Sequence, residues 1–248
     1  MAPTKEIKTL DALKAYASAR ERMLAHVDEV SMYIKDGQVK DSSTLGSILC
    51  EMYPEEVERG KELHAQVGQF LSAGTETTAS LLTTFILFHS QSSELWNKVR
   101  TEIIVGNRGA TEARLNEILR LYPPAALITR QPVEDVMIEG LAIPAGTEIY
   151  ISPYVTQREQ TEHHDPEVFD HTRWLRSEGN NGAFFPFGFG PRMCIGYPTA
   201  MHTAVELIRL IFTNFDPVVF NKFEAPNRHL IILSHERDVP LSLRRRTI

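Results

Sequence analysis

Phe187-Gly188-Phe189-Gly190-Pro191-Arg192-Met193-Cys194-Ile195-Gly196 collects the features a cysteine thiolate needs to hold a metal. Such a thiolate must be deprotonated, needs donors near its sulfur, and needs backbone that leaves room for a flat ligand. Cys194 stands just before a stretch, about Pro198 to Phe215, that reads as a helix. Helix N-termini lower thiol pKa values and present free N–H groups. Gly190 and Gly196 let the backbone take special angles and approach a ligand closely. Phe187 can shield the sulfur, and Arg192 can pair with a carboxylate. Taken without its neighbours, Cys194 reads more naturally as a small buried hydrophobe. A GxGxxG phosphate loop fits less well, because nothing strand-like leads into Gly188 and the glycine spacing differs.

Downstream of this stretch, Met201, Ala204, Val205, Ile208 and Phe212 form the apolar stripe of the last helix. Short strands are expected near Leu230 to Leu233 and Leu241 to Leu243. Upstream, residues 157 to 193 carry almost no period and hold many aromatics, too long for a mere connection. Thr129 to Pro153 contains short β-prone pieces, Val136 to Ile138 and Glu148 to Ile151, punctuated by Gly140, Pro144 and Gly146. Residues 1 to about 120 read as helices. Leu13, Ala17, Met23, Val27 and Val30 recur at helical spacing until Lys35-Asp36-Gly37. Ser42 and Ser43 offer caps for a helix over Leu45 to Met52, and Pro54 fits the first turn of a long helix ending near His89. Ser93 to Ile104 is a further helix and Gly106 to Gly109 a loop. A helix from Thr111 must stop at Leu121-Tyr122, because Pro123-Pro124 follows.

Two other stretches conflict with their surroundings. Ala73-Gly74-Thr75-Glu76-Thr77 sits inside the long helix, where Gly and Thr are poor choices. Such a conflict marks either function or a Gly that lets a neighbouring helix pack closely. Glu117 and Arg120 share a helix face, as in many surface pairs worth only ~0.2–0.5 kcal/mol.

The Cys194 stretch is similar to the haem-binding loop of cytochromes P450, written Phe-x-x-Gly-x-Arg-x-Cys-x-Gly. Phe187, Gly190, Arg192, Cys194 and Gly196 match it, and Ala200 matches the small residue four positions on. Ala73-Gly74-Thr75-Glu76-Thr77 resembles the family's groove over the distal haem face, where the acid–alcohol pair, here Glu76 and Thr77, helps bind and protonate dioxygen. Glu117-Ile118-Leu119-Arg120 resembles its Glu-x-x-Arg helix. Asp165 to Trp174 resembles the loop whose arginine, here Arg173, joins that pair in a buried triad. Arg130 aligns with a position that often meets a haem propionate. The resemblance runs from about residue 12 to the end of the chain.

It implies a mainly α cytochrome P450-like fold with small β-sheets, truncated at the N-terminus. Residues 1–53 would hold helices preceding the oxygen-binding helix, 54–89 that helix, 111–122 the Glu-x-x-Arg helix, 129–193 strands and loops, and 194–248 the cysteine ligand, the proximal helix and the terminal strands. The implied cofactor is haem, iron protoporphyrin IX with Cys194 as axial thiolate. The implied partners are an organic small-molecule substrate, O2 and an electron-donor reductase or ferredoxin. The implied activity is that of a haem-thiolate monooxygenase. Two other readings stay open: an inactive haem-binding remnant, and a P450-fold isomerase or dehydratase, against which the intact Glu76-Thr77 pair speaks. The family's earlier helices have no counterpart here. The chain alone is therefore expected to expose apolar surface, and a separate N-terminal half is a further expected partner.

Composition is consistent with this reading. With 42% hydrophobic and 23% charged residues the chain is of globular type, and a net charge of −6 makes nucleic acid an unsuitable partner. Two cysteines are too few for a disulfide framework. The start, MAPTKEIKTL, has no signal-peptide core, and no window reads as a membrane span. The compartment is not readable; the resemblance implies the cytoplasmic side. The nine histidines, His163-His164 included, match no zinc spacing and read as solvated loop residues. His202 and Arg209 belong to the polar face of the last helix, which in the family receives the electron donor.

Overall fold

The computed structural model describes Ser18, residues 21–22 and 24–29, Met32, and residues 45–52, 56–105, 108–176, 182–218, 222–229, 232–235 and 241–246. The chain divides into two compact units, Met1–Thr75 and Glu76–Ile248.

In the first unit, the described residues between Ser18 and Met32 are helical. The expected end of that run at Lys35-Asp36-Gly37, the caps Ser42 and Ser43, and Pro54 lie outside the described residues. Helix α1 is Leu45–Met52 and α2 is Glu56–His89. Leu63, Val67 and Leu71 recur every fourth residue along α2 and pack with Val27 into a small apolar cluster.

In the second unit, α2 continues, and from Leu81 to Ser90 only Thr83 is exposed. A helix end this apolar has to be enclosed on most sides. Its neighbours are α3 (Ser93–Ile104), α4 (Arg108–Leu121) and α7 (Tyr197–Asn214). Between α4 and α7 come strands β1 (Ile128–Arg130), β2 (Val136–Ile138), β3 (Leu141–Ile143) and β4 (Ile149–Ile151), then short helices α5 (Pro153–Thr156) and α6 (Thr172–Leu175). Strands β5 (Phe215–Pro217), β6 (Arg228–His229), β7 (Leu233–Ser234) and β8 (Leu243–Arg245) follow. The described strands form four two-stranded antiparallel sheets, β1–β4, β2–β3, β5–β8 and β6–β7. The fold is therefore mainly α with small β-sheets.

The core joins Leu81 and Phe85 of α2 to Trp96 and Val99 of α3, Leu115 and Ile118 of α4, and the stripe of α7. That stripe is Met201, Ala204, Val205, Ile208 and Phe212, all buried. Trp96 stacks on Phe212 with ring centroids 3.8 Å apart. Arg100 closes the far end of α7. Its Nε donates to Phe212 O at 2.7 Å, a carbonyl of the helix's last turn, and its Nη2 to Phe215 O at 2.8 Å, just beyond the helix. Asp216 pairs with the same guanidinium.

Several elements depart from the expected ones. Helix α4 begins at Arg108 rather than Thr111: Arg108 Nε pairs with Glu112 one turn on at 2.8 Å, and buried Ala110 and Thr111 override the helix-breaking tendency of Gly109. Phe215 is not the end of the last helix but the first residue of β5, opposite Arg245. The terminal strands sit at Leu233–Ser234 and Leu243–Arg245, while Leu230 lies outside the described residues. Strands β1 and β3 and helices α5 and α6 were not expected. The β2–β3 hairpin turns on Glu139 and Gly140, both at positive φ (50° and 85°), the primed turn that suits a two-residue loop. His163 is not solvated: it is 3% exposed, although its neighbour His164 is open to solvent.

His89, at the end of α2, is 0% exposed. Its Nδ1 lies 2.8 Å from Phe85 O, an acceptor only, so Nδ1 carries the proton and Nε2 faces Arg114 Nη1 at 3.4 Å. Burial first, and then the Arg114 charge, lower its pKa to about 3. A histidine held neutral in this way contributes stability that is complete above its unfolded pKa near 6.5 and is lost as pH falls toward the folded value. We expect stability to fall below pH ~6.5 by up to ~1.4 kcal/mol per pH unit from this group. His163, His171 and His235, also lowered by burial, add in the same direction. Denaturation midpoints taken between pH 7.5 and 5 should show a shallower pH slope in His89→Gln than in the parent; equal slopes would remove His89 from the account.

Candidate functional site

The charge centre of the second unit is built on α4. Glu117 and Arg120 are three residues apart, hence on one helix face, and both are 0% exposed. Arg120 donates to Glu117 through Nε at 3.0 Å and Nη2 at 2.9 Å. Arg173 of α6, 4% exposed, adds Nε at 3.1 Å. The backbone N–H of Asp170 and the indole of Trp174 complete five hydrogen bonds to the carboxylate, each at 2.9 Å. Burial pushes the Glu117 carboxyl upward, but Arg120, the Asp170 amide and the Trp174 indole outweigh it and hold the pKa below its ordinary value. The surface-pair reading of Glu117 and Arg120 is thereby excluded. Trp174 and the Asp170 amide carried no signal in the sequence, since indoles and backbone amides bind anions only where the fold brings them.

Cys194 is a free, exposed cysteine on a loop that backbone hydrogen bonds hold in shape. Its N–H donates to Phe187 O at 2.9 Å, Met193 N–H to Gly190 O at 3.0 Å, and Gly188 N–H to Phe185 O at 2.9 Å. Gly188 and Gly190 have φ of 71° and 66°, the left-handed region where a side chain would be strained. A Cβ on Gly190 would meet nothing within 4 Å, and one on Gly196 would lie 3.7 Å from the Cys194 sulfur. Every residue from Phe189 to Ile195 is exposed. Phe189, Met193 and Ile195 among them are apolar, at 60%, 42% and 81% exposure. The 3-10 turn Gly190–Arg192 leads to the cysteine, and Gly196 caps α7 without a side-chain bond. The thiol therefore lies next to the N-terminus of α7, whose first N–H, that of Tyr197, donates to Cys194 O at 3.3 Å. A fixed loop with an exposed thiol, open glycines and apolar side chains turned outward suits a flat, largely apolar ligand bound through sulfur.

Phe187, half-buried, packs against Tyr197 with ring centroids 4.7 Å apart. Arg192 is exposed on the same loop. Arg130, half-buried in β1, donates to Thr129 O at 2.8 Å. Its strand adjoins the loop, since a Cβ on Gly188 would come within 4.0 Å of Ile128 Cδ1. The structure thus brings Phe187, Gly190, Arg192, Cys194 and Gly196 into one loop and sets the strand of Arg130 beside it. The Ala73–Thr77 stretch is divided between the units. In the first, Gly74 is exposed, with open space where a Cβ would stand. In the second, Glu76 is exposed and Thr77 half-buried, one turn before Ser80, whose hydroxyl donates to Leu233 O at 2.6 Å. On α7, His202 and Arg209 are exposed as expected, but so are Leu207 and Leu210. Among the described residues no group of His, Cys, Asp and Glu forms a separate metal cluster. No described helix is long and apolar enough to cross a membrane.

A family model described as Cytochrome P450 matches residues 20–237. Cyclooctatin synthase of Streptomyces melanosporofaciens is 32% identical over 208 residues, 75% of this chain and 45% of that protein. Geranylhydroquinone 3''-hydroxylase CYP76B74 of Arnebia euchroma is 32% identical over 188 residues, 68% of this chain and 38% of that protein. The crystal structure of a cytochrome P450 (CYP102L1) is similar with a TM-score of 0.75 at 22% identity, covering 95% of this chain and 58% of that one. The chain thus spans less than half the length of these two curated relatives.

The geometry of the charge centre sets a stability test. Glu117→Gln leaves Arg120 and Arg173 without a counter-charge, and we expect a loss of ~3–5 kcal/mol. The exposed pair Arg108–Glu112 is the control, with Arg108→Ala costing under ~1 kcal/mol. Urea denaturation of both variants checks this; comparable small losses would show that the buried centre contributes no more than a surface pair.

Proposed function

The chain belongs to the cytochrome P450 family, and on that premise we propose that Cys194 holds a haem iron through its thiolate in a monooxygenase that inserts one atom of O2 into an organic substrate. The observation that carries this reading is the Cys194 loop itself. It presents an exposed thiol among outward-facing apolar side chains, on backbone held by its own hydrogen bonds at a helix N-terminus. When bound, thiolate-ligated haem supplies electron density that favours O–O cleavage. The protein's own part is to hold, orient and protonate. Gly190 and Gly196 would leave room beside the thiol for a flat ligand, and Phe187 would shield the sulfur. Arg192 and Arg130 offer guanidinium groups to the propionates, for which bidentate pairing is suited. Glu76 and Thr77 would relay protons when haem is bound: an exposed carboxyl can exchange them with solvent, and an alcohol both donates and accepts. The presence of both residues supports oxygen activation over rearrangement. An electron donor, either a reductase or a ferredoxin, is required by this chemistry.

Two measurements test the reading. Loaded with haem and reduced under CO, the protein should show the red-shifted absorbance band of thiolate ligation. Cys194→Ala and Cys194→His should abolish that band while Cys50→Ala retains it; a thiolate-type band surviving in Cys194→Ala would overturn the assignment. In a turnover-competent preparation, Thr77→Ala should raise hydrogen peroxide released per reductant consumed several-fold, at the expense of hydroxylated product, because the ordered proton relay is lost. Coupling equal to that of the parent would remove Thr77 from the relay.

A further inference from the structure

We propose that Gln157 is a positioning residue for Cys194, its buried side-chain amide tying the proline-ended helix α4 to the segment of backbone that leads into the cysteine loop. The proposal rests on Cys194 being the haem ligand, and it concerns how that ligand is held in place.

The need arises at the C-terminus of α4. In a continuing helix, the N–H of residue i+4 serves the carbonyl of residue i. Tyr122 does this for Ile118 O at 2.6 Å. The next two donors would be residues 123 and 124, facing the carbonyls of Leu119 and Arg120. Both are proline and have no N–H. Leu119 and Arg120 are 1% and 0% exposed, so water is no ready substitute. Gln157 supplies the missing donors: its Nε2 lies 3.1 Å from Leu119 O and 3.1 Å from Arg120 O. Arg158, the next residue, donates Nη2 to Leu121 O. The four carbonyls that the ended helix leaves open are thus all served, three of them by two consecutive side chains.

The other end of the amide faces the cysteine loop. Gln157 Oε1 accepts the Phe185 N–H at 3.0 Å. The orientation of the amide is fixed by chemistry, since the two carbonyls only accept and the backbone N–H only donates. Phe185 O then accepts Gly188 N–H, and Phe187 O accepts the Cys194 N–H, both at 2.9 Å. Phe185 and Pro186 are the last buried residues before the chain emerges into the exposed run Phe189–Ile195. Gln157, 0% exposed, therefore grips the chain where it leaves the core. From there two backbone hydrogen bonds carry the constraint to Cys194.

A mere helix cap and a support for the cysteine loop make different demands on this side chain, and two variants of the full chain separate them. Gln157→Met keeps the shape and removes both functions. Gln157→Glu keeps an acceptor for Phe185 N–H and removes the amide donor to Leu119 O and Arg120 O, since a carboxylate only accepts. In the chain as purified, amide hydrogen exchange at Phe185, Gly188 and Cys194 should quicken ~10-fold or more in Gln157→Met, relative to core amides such as Val99. In Gln157→Glu it should stay within ~3-fold of the parent. Alkylation of the Cys194 thiol in haem-free protein should change rate in Gln157→Met and not in Gln157→Glu. With haem, the thiolate-type CO band should diminish in the first variant and persist in the second. Equal behaviour of the two variants across residues 185–194, or parental exchange there in Gln157→Met, overturns the proposal. Should Gln157→Met not fold, the Glu variant decides by itself: protected amides from Phe185 to Cys194 support the role, and loosened ones overturn it. A parent protein whose haem spectrum is indifferent to Cys194→Ala would instead defeat the ligand assignment, a result the exchange comparison does not mimic.

Discussion

The carboxylate of Glu117, shut off from solvent, determines where the chain between residues 157 and 174 can run. It is paired with two guanidinium groups, so one positive charge is in surplus, and an uncompensated charge inside a protein is costly. Carbonyl oxygens take up the excess. Arg120 donates to Gln157 O at 3.0 Å, Pro166 O at 2.6 Å and Val168 O at 3.3 Å, and Arg173 to His164 O at 3.4 Å. All four acceptors belong to one aperiodic segment, which must curl around the two cations to reach them. This is how the segment is ordered without helical or strand periodicity. It also accounts for the state of His163. Burial first, then the charges of Arg120 and Arg173, lower its pKa, so the ring is neutral where a third cation would be hard to place.

What could be read in the sequence follows from the range of the interactions. The five buried positions of α7 are the apolar ones at helical spacing, because a helix against a core needs only local periodicity. The end of α4 at Leu121 follows from Pro123-Pro124, again a local rule. Strands of two or three residues hold barely one alternation, too little for a period to declare itself, and β1 and β3 were missed for that reason. The solvated reading of His163 fails because polar neighbours in sequence report neither its burial nor the charge of Arg120, 43 positions away. Of the candidate site, Cys194 and its glycines were legible by residue type. The triad was legible only through family resemblance, since a Glu and an Arg three apart are just as common on surfaces. Trp174, the Asp170 amide and Gln157 were not legible at all: each acts on a partner at least 28 positions distant.

The charge centre and the cysteine loop have opposite characters, and the second depends on the first. Glu117, Arg120 and Arg173 are buried polar groups with their hydrogen bonds satisfied, which gives a rigid and unique arrangement. The loop around Cys194 exposes apolar side chains that gain nothing from water; of them Phe189 sits edge-on to Phe185, with ring centroids 5.6 Å apart. Its shape comes from backbone hydrogen bonds and positive-φ glycines, and these fix the loop only if the chain enters it from a fixed point. The rigid centre supplies that point through the segment it organises.

A similar division runs along α2. Leu63, Val67 and Leu71 anchor its earlier turns within the first unit, and Leu81, Phe85 and His89 anchor its last turns within the second. Between them, Ser72 to Glu76 are exposed without a break. Five consecutive exposed residues exceed one helical turn of 3.6. It is also where Gly74 and Thr75 lower helix propensity, Gly74 by ~1 kcal/mol relative to Ala. Neither packing nor propensity selects these residues for the stability of the helix. The flanking turns carry them, and a stretch maintained in that way is free to be chosen for chemistry, the role given in the proposed reaction to Glu76 together with its half-buried neighbour Thr77.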